Sequence, residues 1–194
     1  MAANSRASVP VSPSPPVVSV SMLREHLEEL PQFTLPPGFR IRFYRAGEAK
    51  VWTSIQVQTE KYREITPAFH EQQFGNDQAR LQARQMFLGA PEGSEIGTGT
   101  AWFDPTFAGG NCGRVHWLAI VPEYQGKGLG KALLSAVCHR LRELGHTCAT
   151  LRTQTARVAA IHLYLKFGFK PDIKCAEDLA AWEALKAQGL PVPL

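Results

Sequence analysis

The chain predicts an α/β (α+β) domain, a mixed sheet flanked by helices, on two periodic signals. Short β-rich runs such as Ile96–Phe103 and Arg114–Val121, with the apolar–basic alternation of Phe39–Arg45, read as strands. Longer stretches place apolar residues at three- and four-residue spacing, above all Leu129–Leu144. Strand and helix signals alternate along the chain, as they do when helices pack on a sheet.

Residues 1–21 hold four prolines, many serines and valines, and one charge, Arg6. Too little apolar surface is available there to offset chain entropy, so a disordered tail is expected. It has neither the long apolar core of a secretory signal nor the arginine content of a transit peptide. Over 22–38, Met22, Leu23, Leu27 and Leu30 suggest a short amphipathic helical arm, halted at Pro31 and followed by a Pro36–Gly38 turn.

The main domain is expected over 39–174. After the first strand comes a helix through Trp52 to Gln58, a loop at 68–76 beside the site, and a second helical region over 77–85. Gln85–Leu88 and Ile96–Phe103 form a hairpin around Pro91–Gly93, and Arg114–Val121 is the next strand. Leu129–Leu144 buries Leu129, Leu133, Ala136, Val137, Leu141 and Leu144, with Gly145 as its stop. Thr147–Thr153 is a strand, Arg157–Phe167 a helix closed by Gly168, and Phe169–Ile173 a final strand. The last segment, 175–194, carries a helix over Ala176–Gln188 and a short tail.

Composition narrows the function classes. With 194 residues and 44% apolar content, the chain is long enough for one proper core. No run approaches the roughly 20 apolar residues that span a bilayer. A net charge of +4 is mild, and no stretch combines clustered Lys/Arg with stacking aromatics, so no nucleic-acid partner is expected. The cysteines Cys112, Cys138, Cys148 and Cys175 form no Cys-x-x-Cys pair; reduced, packed thiols in a cytoplasmic protein and no metal are expected.

The most informative stretch is Leu118-Ala119-Ile120 running through Gln125-Gly126-Lys127-Gly128-Leu129-Gly130-Lys131 into the long helix. Alternate glycines and two lysines at a helix N-terminus make a polyanion site, because free N–H groups and the helix dipole both favour negative charge. A Walker loop would need glycine at 125 and Ser or Thr at 132, where the chain has Gln125 and Ala132. A dinucleotide fingerprint would need glycine at 131, which is lysine. What remains is Gln/Arg-x-x-Gly-x-Gly/Ala, filled by Gln125, Gly128 and Gly130.

A second block, Ala160-Ile-His-Leu-Tyr164-Leu-Lys-Phe-Gly168-Phe169, follows, with its tyrosine about 34 residues after the loop. In that order and spacing the two blocks resemble the GNAT N-acetyltransferase superfamily. The resemblance implies a mostly antiparallel central sheet with a V-shaped splay between the fourth and fifth strands, and acetyl-CoA as co-substrate. It further implies that the 125–131 loop holds the pyrophosphate and that backbone groups of Leu118, Ala119 and Ile120 pair with the pantetheine arm. Tyr164 would protonate the departing thiolate. Arg157 stands where many relatives have asparagine, and no contact is assigned to it.

The acceptor is read as a primary amine, on a small molecule or a peptide, attacking directly in a ternary complex. A lysine-type amine of pKa ~10.4 costs about 4.6 kcal/mol to deprotonate at neutral pH, whereas a terminal amine near ~8 needs about one pKa unit. His116, two residues before Leu118, is the candidate base; packing beside Trp117 is its structural alternative. Cys112 has no evident activating partner that would make it an acyl carrier. A non-catalytic acyl-CoA sensor is the alternative reading of the whole chain. Either a monomer or a homodimer fits the C-terminal helix.

Overall fold

The computed structural model describes residues 17–66, 68–103, 107 and 111–194. Its elements run β1 (Ser19–Arg24), β2 (Arg40–Phe43), α1 (Ala49–Thr59), α2 (Phe69–Phe74), α3 (Gln78–Arg84), β3 (Gln85–Gly89) and β4 (Glu95–Phe103). There follow β5 (Cys112–Ile120), α4 (Leu129–Glu143), β6 (Cys148–Gln154), α5 (Val158–Lys166), β7 (Lys170–Pro171) and α6 (Ala176–Ala187).

Among the described residues the strands form one sheet in the order β2-β3-β4-β5-β6-β1-β7. Every pairing is antiparallel except β5 with β6. That parallel pair follows from its connection, since α4 crosses over between the two strands. Its register covers only Cys112–Arg114 against Cys148–Thr150; beyond that the strands part, β5 continuing to Ile120 and β6 to Gln154. This is the expected V, between the fourth and fifth strands of the sequence reading.

The N-terminal segment differs from expectation. Residues 19–24 are a strand, not the start of a helix, and pair along all of β6 from Ser19 opposite Gln154 to Arg24 opposite Ala149. Val20 and Met22 alternate inward with a period of two, burying themselves against β6 chain neighbours some 130 residues away. Leu27 and Leu30 are buried as expected, but on an irregular segment whose Leu27 N–H donates to Thr147. Of the tail reading, residues 1–16 lie outside the described residues, and Ser19–Ser21 belong to the sheet.

Two smaller corrections concern the helical layer and the thiols. Residues 69–74, read as loop, are α2, whose Phe69, His70 and Phe74 pack around Trp52. Cys112 and Cys148 are not separate thiols: they are register partners at the root of the V and are joined as a disulfide. Cys138 is free and buried, Cys175 free and exposed. Burial of α4 also reaches past the expected face to Ser135, because the segment after Leu30 covers it: Ser135 Oγ donates to the Pro31 carbonyl.

Candidate active site

A bulge in β5 shapes the site. Thr98 pairs with Ala119 but Thr100 pairs with His116, so β5 carries one residue too many opposite Gly99. Trp117 absorbs it at φ +51°, left-handed backbone that a bulky residue rarely adopts. Consequently His116 and Trp117 point to the same face, where His116 meets Phe74 and Trp117 meets Trp52 and Phe69. The Trp117 carbonyl leaves the ladder and accepts Gln56 Nε2 at 3.3 Å. Buried Gln56 thereby satisfies the group that the bulge freed.

Past the bulge, Val121 donates its N–H to Ile96 on β4. Strand groups alternate, so Ala119 also faces β4 while Leu118 and Ile120 turn their backbone polar groups toward the open side of the V. Of these the Ile120 carbonyl accepts Gln125 Nε2 at 2.7 Å, which ties the glycine loop to the end of the strand. Gln125 is thus a brace within the loop.

The loop has the backbone that its glycines allow. Gly126 and Gly128 sit at φ +76° and +79°, each with open space where a Cβ would stand. Gly128 is the N-cap of α4, and no side chain caps that helix. Lys127 and Lys131 flank this end, their ammonium groups over the rings of Tyr124 and Phe33 at 4.5 and 5.6 Å. Leu129 is buried and anchors the turn. Gly130 lies against α5, 3.4 Å from Leu163 to its virtual Cβ.

Between the parted strands lies a cleft of about 390 Å³. His116, Leu118 and Tyr164 all line it. Tyr164 is buried, edge-on to Phe169, and burial pushes its phenol up to about 12 against the opposing field of Arg157. Its hydroxyl therefore keeps its proton across any working pH.

Sequence reasoning missed the acid in this cleft. Glu60, the residue after α1, points in with its side chain 4% exposed. One oxygen accepts Arg157 Nη2 at 2.7 Å and the other the Tyr62 N–H at 2.8 Å. Arg157, left unassigned from sequence, also donates Nε to Gln154. Nothing local marks Glu60, since its partner is 97 residues away. Among the described residues no cluster of His, Cys, Asp and Glu could hold a metal ion.

Residues 50–169 match the family model described as Acetyltransferase (GNAT) family. The chain belongs to that family. Among named relatives, this GNAT chain is 30% identical to the mycothiol acetyltransferase of Mycobacterium ulcerans (strain Agy99) over 199 residues, 89% of this chain and 60% of the relative. It is 31% identical to that of Nocardia farcinica (strain IFM 10152), over 74% of this chain and 49% of the relative. The chain therefore spans about half to three-fifths of these curated relatives. In fold it is similar to a GCN5-related N-acetyltransferase from Sphaerobacter thermophilus, with TM-score 0.65 and 17% identity over 79% of this chain and 48% of that one. A GNAT acetyltransferase from Colwellia psychrerythraea gives 0.62 and 14%, over 82% and 55%.

Proposed function

We propose that this GNAT chain transfers an acetyl group from acetyl-CoA to a primary amine, by direct attack within the cleft between β5 and β6. The observation that carries the reading is the convergence of three parts. A strand edge released by the V and a protonated phenol share the cleft, and past Ile120 that same strand leads into the third part, the uncapped, glycine-lined N-terminus of α4. The α4 amides suit the diphosphate, with Lys127 and Lys131 adding charge. Leu118 and Ile120 offer the strand-edge groups that a pantetheine amide can pair with, in place of the missing β6 partner.

At the reacting centre, His116 takes the proton that the amine loses as the C–N bond forms. Tyr164 delivers its own to the sulfur as the C–S bond breaks, leaving no covalent acyl-enzyme. Glu60 is held by Arg157 and Tyr62, so its charge is spent on position.

The relatives named mycothiol acetyltransferases support acyl transfer to an amine; partial coverage gives no ground for carrying their acceptor across. Calorimetric titration with acetyl-CoA, followed by an amine panel read as free thiol released, tests the proposal. Binding heat with amine-dependent thiol release is the expected result. Absence of binding heat would remove the loop from the mechanism, and binding without thiol release would make the chain a sensor.

A further inference from the structure

The cleft is unevenly charged. Glu60 is its one carboxylate among the described residues and belongs to Arg157, yet Arg63, Arg114 and Arg152 also line it. Neither Arg63 nor Arg152 forms an ion pair with any described residue.

The placement of these cations follows from the sheet. Arg114 and Thr150 are register partners and so share a face. Two residues further along each diverging strand come His116 and Arg152, on that same face. The face is the one covered by α1 and α2, as the contact of His116 with Phe74 shows. Arg63 enters from the segment between those helices, its guanidinium over the rings of Trp117 and Phe69 at 5.5 and 5.9 Å. Stacking fixes the plane of that guanidinium while leaving its edge donors available. The polyanion site at α4 is a separate feature, carried by Lys127 and Lys131.

We infer that the acceptor amine carries an anionic group, a carboxylate or phosphate ester, seated between Arg152 and Arg63 on the α1/α2 face of the cleft. The inference rests on the acetyl-transfer reading and names its substrate class. A guanidinium fork matches two oxygens of either group, and a cleft lined by one sign of charge concentrates ligands of the other. Seating the anion here brings the amine of the same molecule toward His116, on the strand facing Arg152. A simple polyamine, by contrast, would meet like charge.

Two matched pairs of acceptors test this: alanyl-alanine against its C-terminal amide, and phosphoethanolamine against ethanolamine. The anionic member of at least one pair is expected to lead in kcat/KM by about 10–100-fold, and that lead to fall to about threefold or less in Arg152→Gln/Arg63→Gln. The pair that discriminates names the group. Both arginines are exposed, so the variant should fold; circular dichroism checks it.

A second readout needs no turnover. N-acetylglycine should change the fluorescence of Trp117, under Arg63, saturably in the parent and not in the variant, while N-acetylglycinamide does neither. Equal rates within both pairs and no saturable change would overturn the anion seat and leave acetyl transfer intact. A saturable change lost in the variant, with no amine acetylated, would keep the seat and end the transfer reading.

Discussion

Arg157 and Glu60 meet at 2.7 Å across the mouth of the cleft, joining the turn before α5 to the end of α1. The Glu60 side chain is 4% exposed and that of Arg157 31%. Each has a further partner, Tyr62 N–H for the acid and Gln154 for the base. The pair thus fastens the end of α1 to the end of β6 on the far side of the V, through the bond of Arg157 to Gln154.

Removing one partner leaves the other charged and half-buried. Glu60→Gln should therefore lower unfolding stability by about 1–3 kcal/mol, below the 3–5 typical of a fully buried pair because Arg157 reaches solvent. A double-mutant cycle with Arg157→Gln in urea measures the coupling. Coupling under about 0.5 kcal/mol would mean that the contact is surface-like and that something else fastens the end of α1.

Cys112 and Cys148 sit at the root of the V, 36 residues apart in sequence. Closing a loop of that length restricts the unfolded chain by about 4 kcal/mol in the chain-entropy treatment. Denaturation with and without reductant should differ by up to that amount, and Cys112→Ala should abolish the difference. A chain whose midpoint ignores reductant contradicts this.

Much of the fold was legible because its signals are local. The turn at Pro36–Gly38, the helix from Leu129 and the glycine that stops it at 145 each depend on neighbours within one or two turns. The V could be expected only through the resemblance, since where β5 and β6 part is a matter of pairing. What escaped was non-local. Val20 and Met22 alternate as a strand does, but Leu23, Leu27 and Leu30 also fit a helical face. Only the pairing with β6 decides between them. Likewise the bulge at Trp117 has no sequence mark, and it alone turns His116 and Trp117 to one face. Glu60, Arg63 and Arg152 gain meaning from that face, which is why charge counting along the chain gave only a mild excess.

Gly128 separates backbone from charge effects. At φ +79° an added side chain strains the turn, which asparagine and aspartate tolerate best. Gly128→Asn and Gly128→Asp should therefore cost similar stability. Acetyl-CoA affinity should fall far more in the aspartate variant, by about tenfold or more, because its carboxylate faces the diphosphate at the helix end. Gly130→Ala, 3.4 Å from Leu163 in ordinary φ, should bind nearly as the parent does. Equal affinities for the asparagine and aspartate variants in calorimetry would place the diphosphate elsewhere.

Tyr164 offers the sharpest test of chemistry, because its titration and its catalytic role predict different things. Burial raises its folded pKa to about 12, above the ~10 of an unfolded tyrosine. The stability this contributes is fully present below pH ~10 and is lost as pH climbs toward 12, since only the unfolded phenol ionises readily in that window. Tyr164→Phe should therefore weaken the pH dependence of stability over that window. The same substitution should slow acetyl transfer about 10²–10⁴-fold while leaving acetyl-CoA affinity nearly unchanged, because a proton donor acts only as the sulfur departs. The kcat–pH profile of the parent should show no limb from this group until pH approaches about 12, where the buried phenol ionises. If the phenylalanine variant turns over at the parental rate, the proton reaches sulfur by another route, and Tyr164 is left with its packing against Phe169.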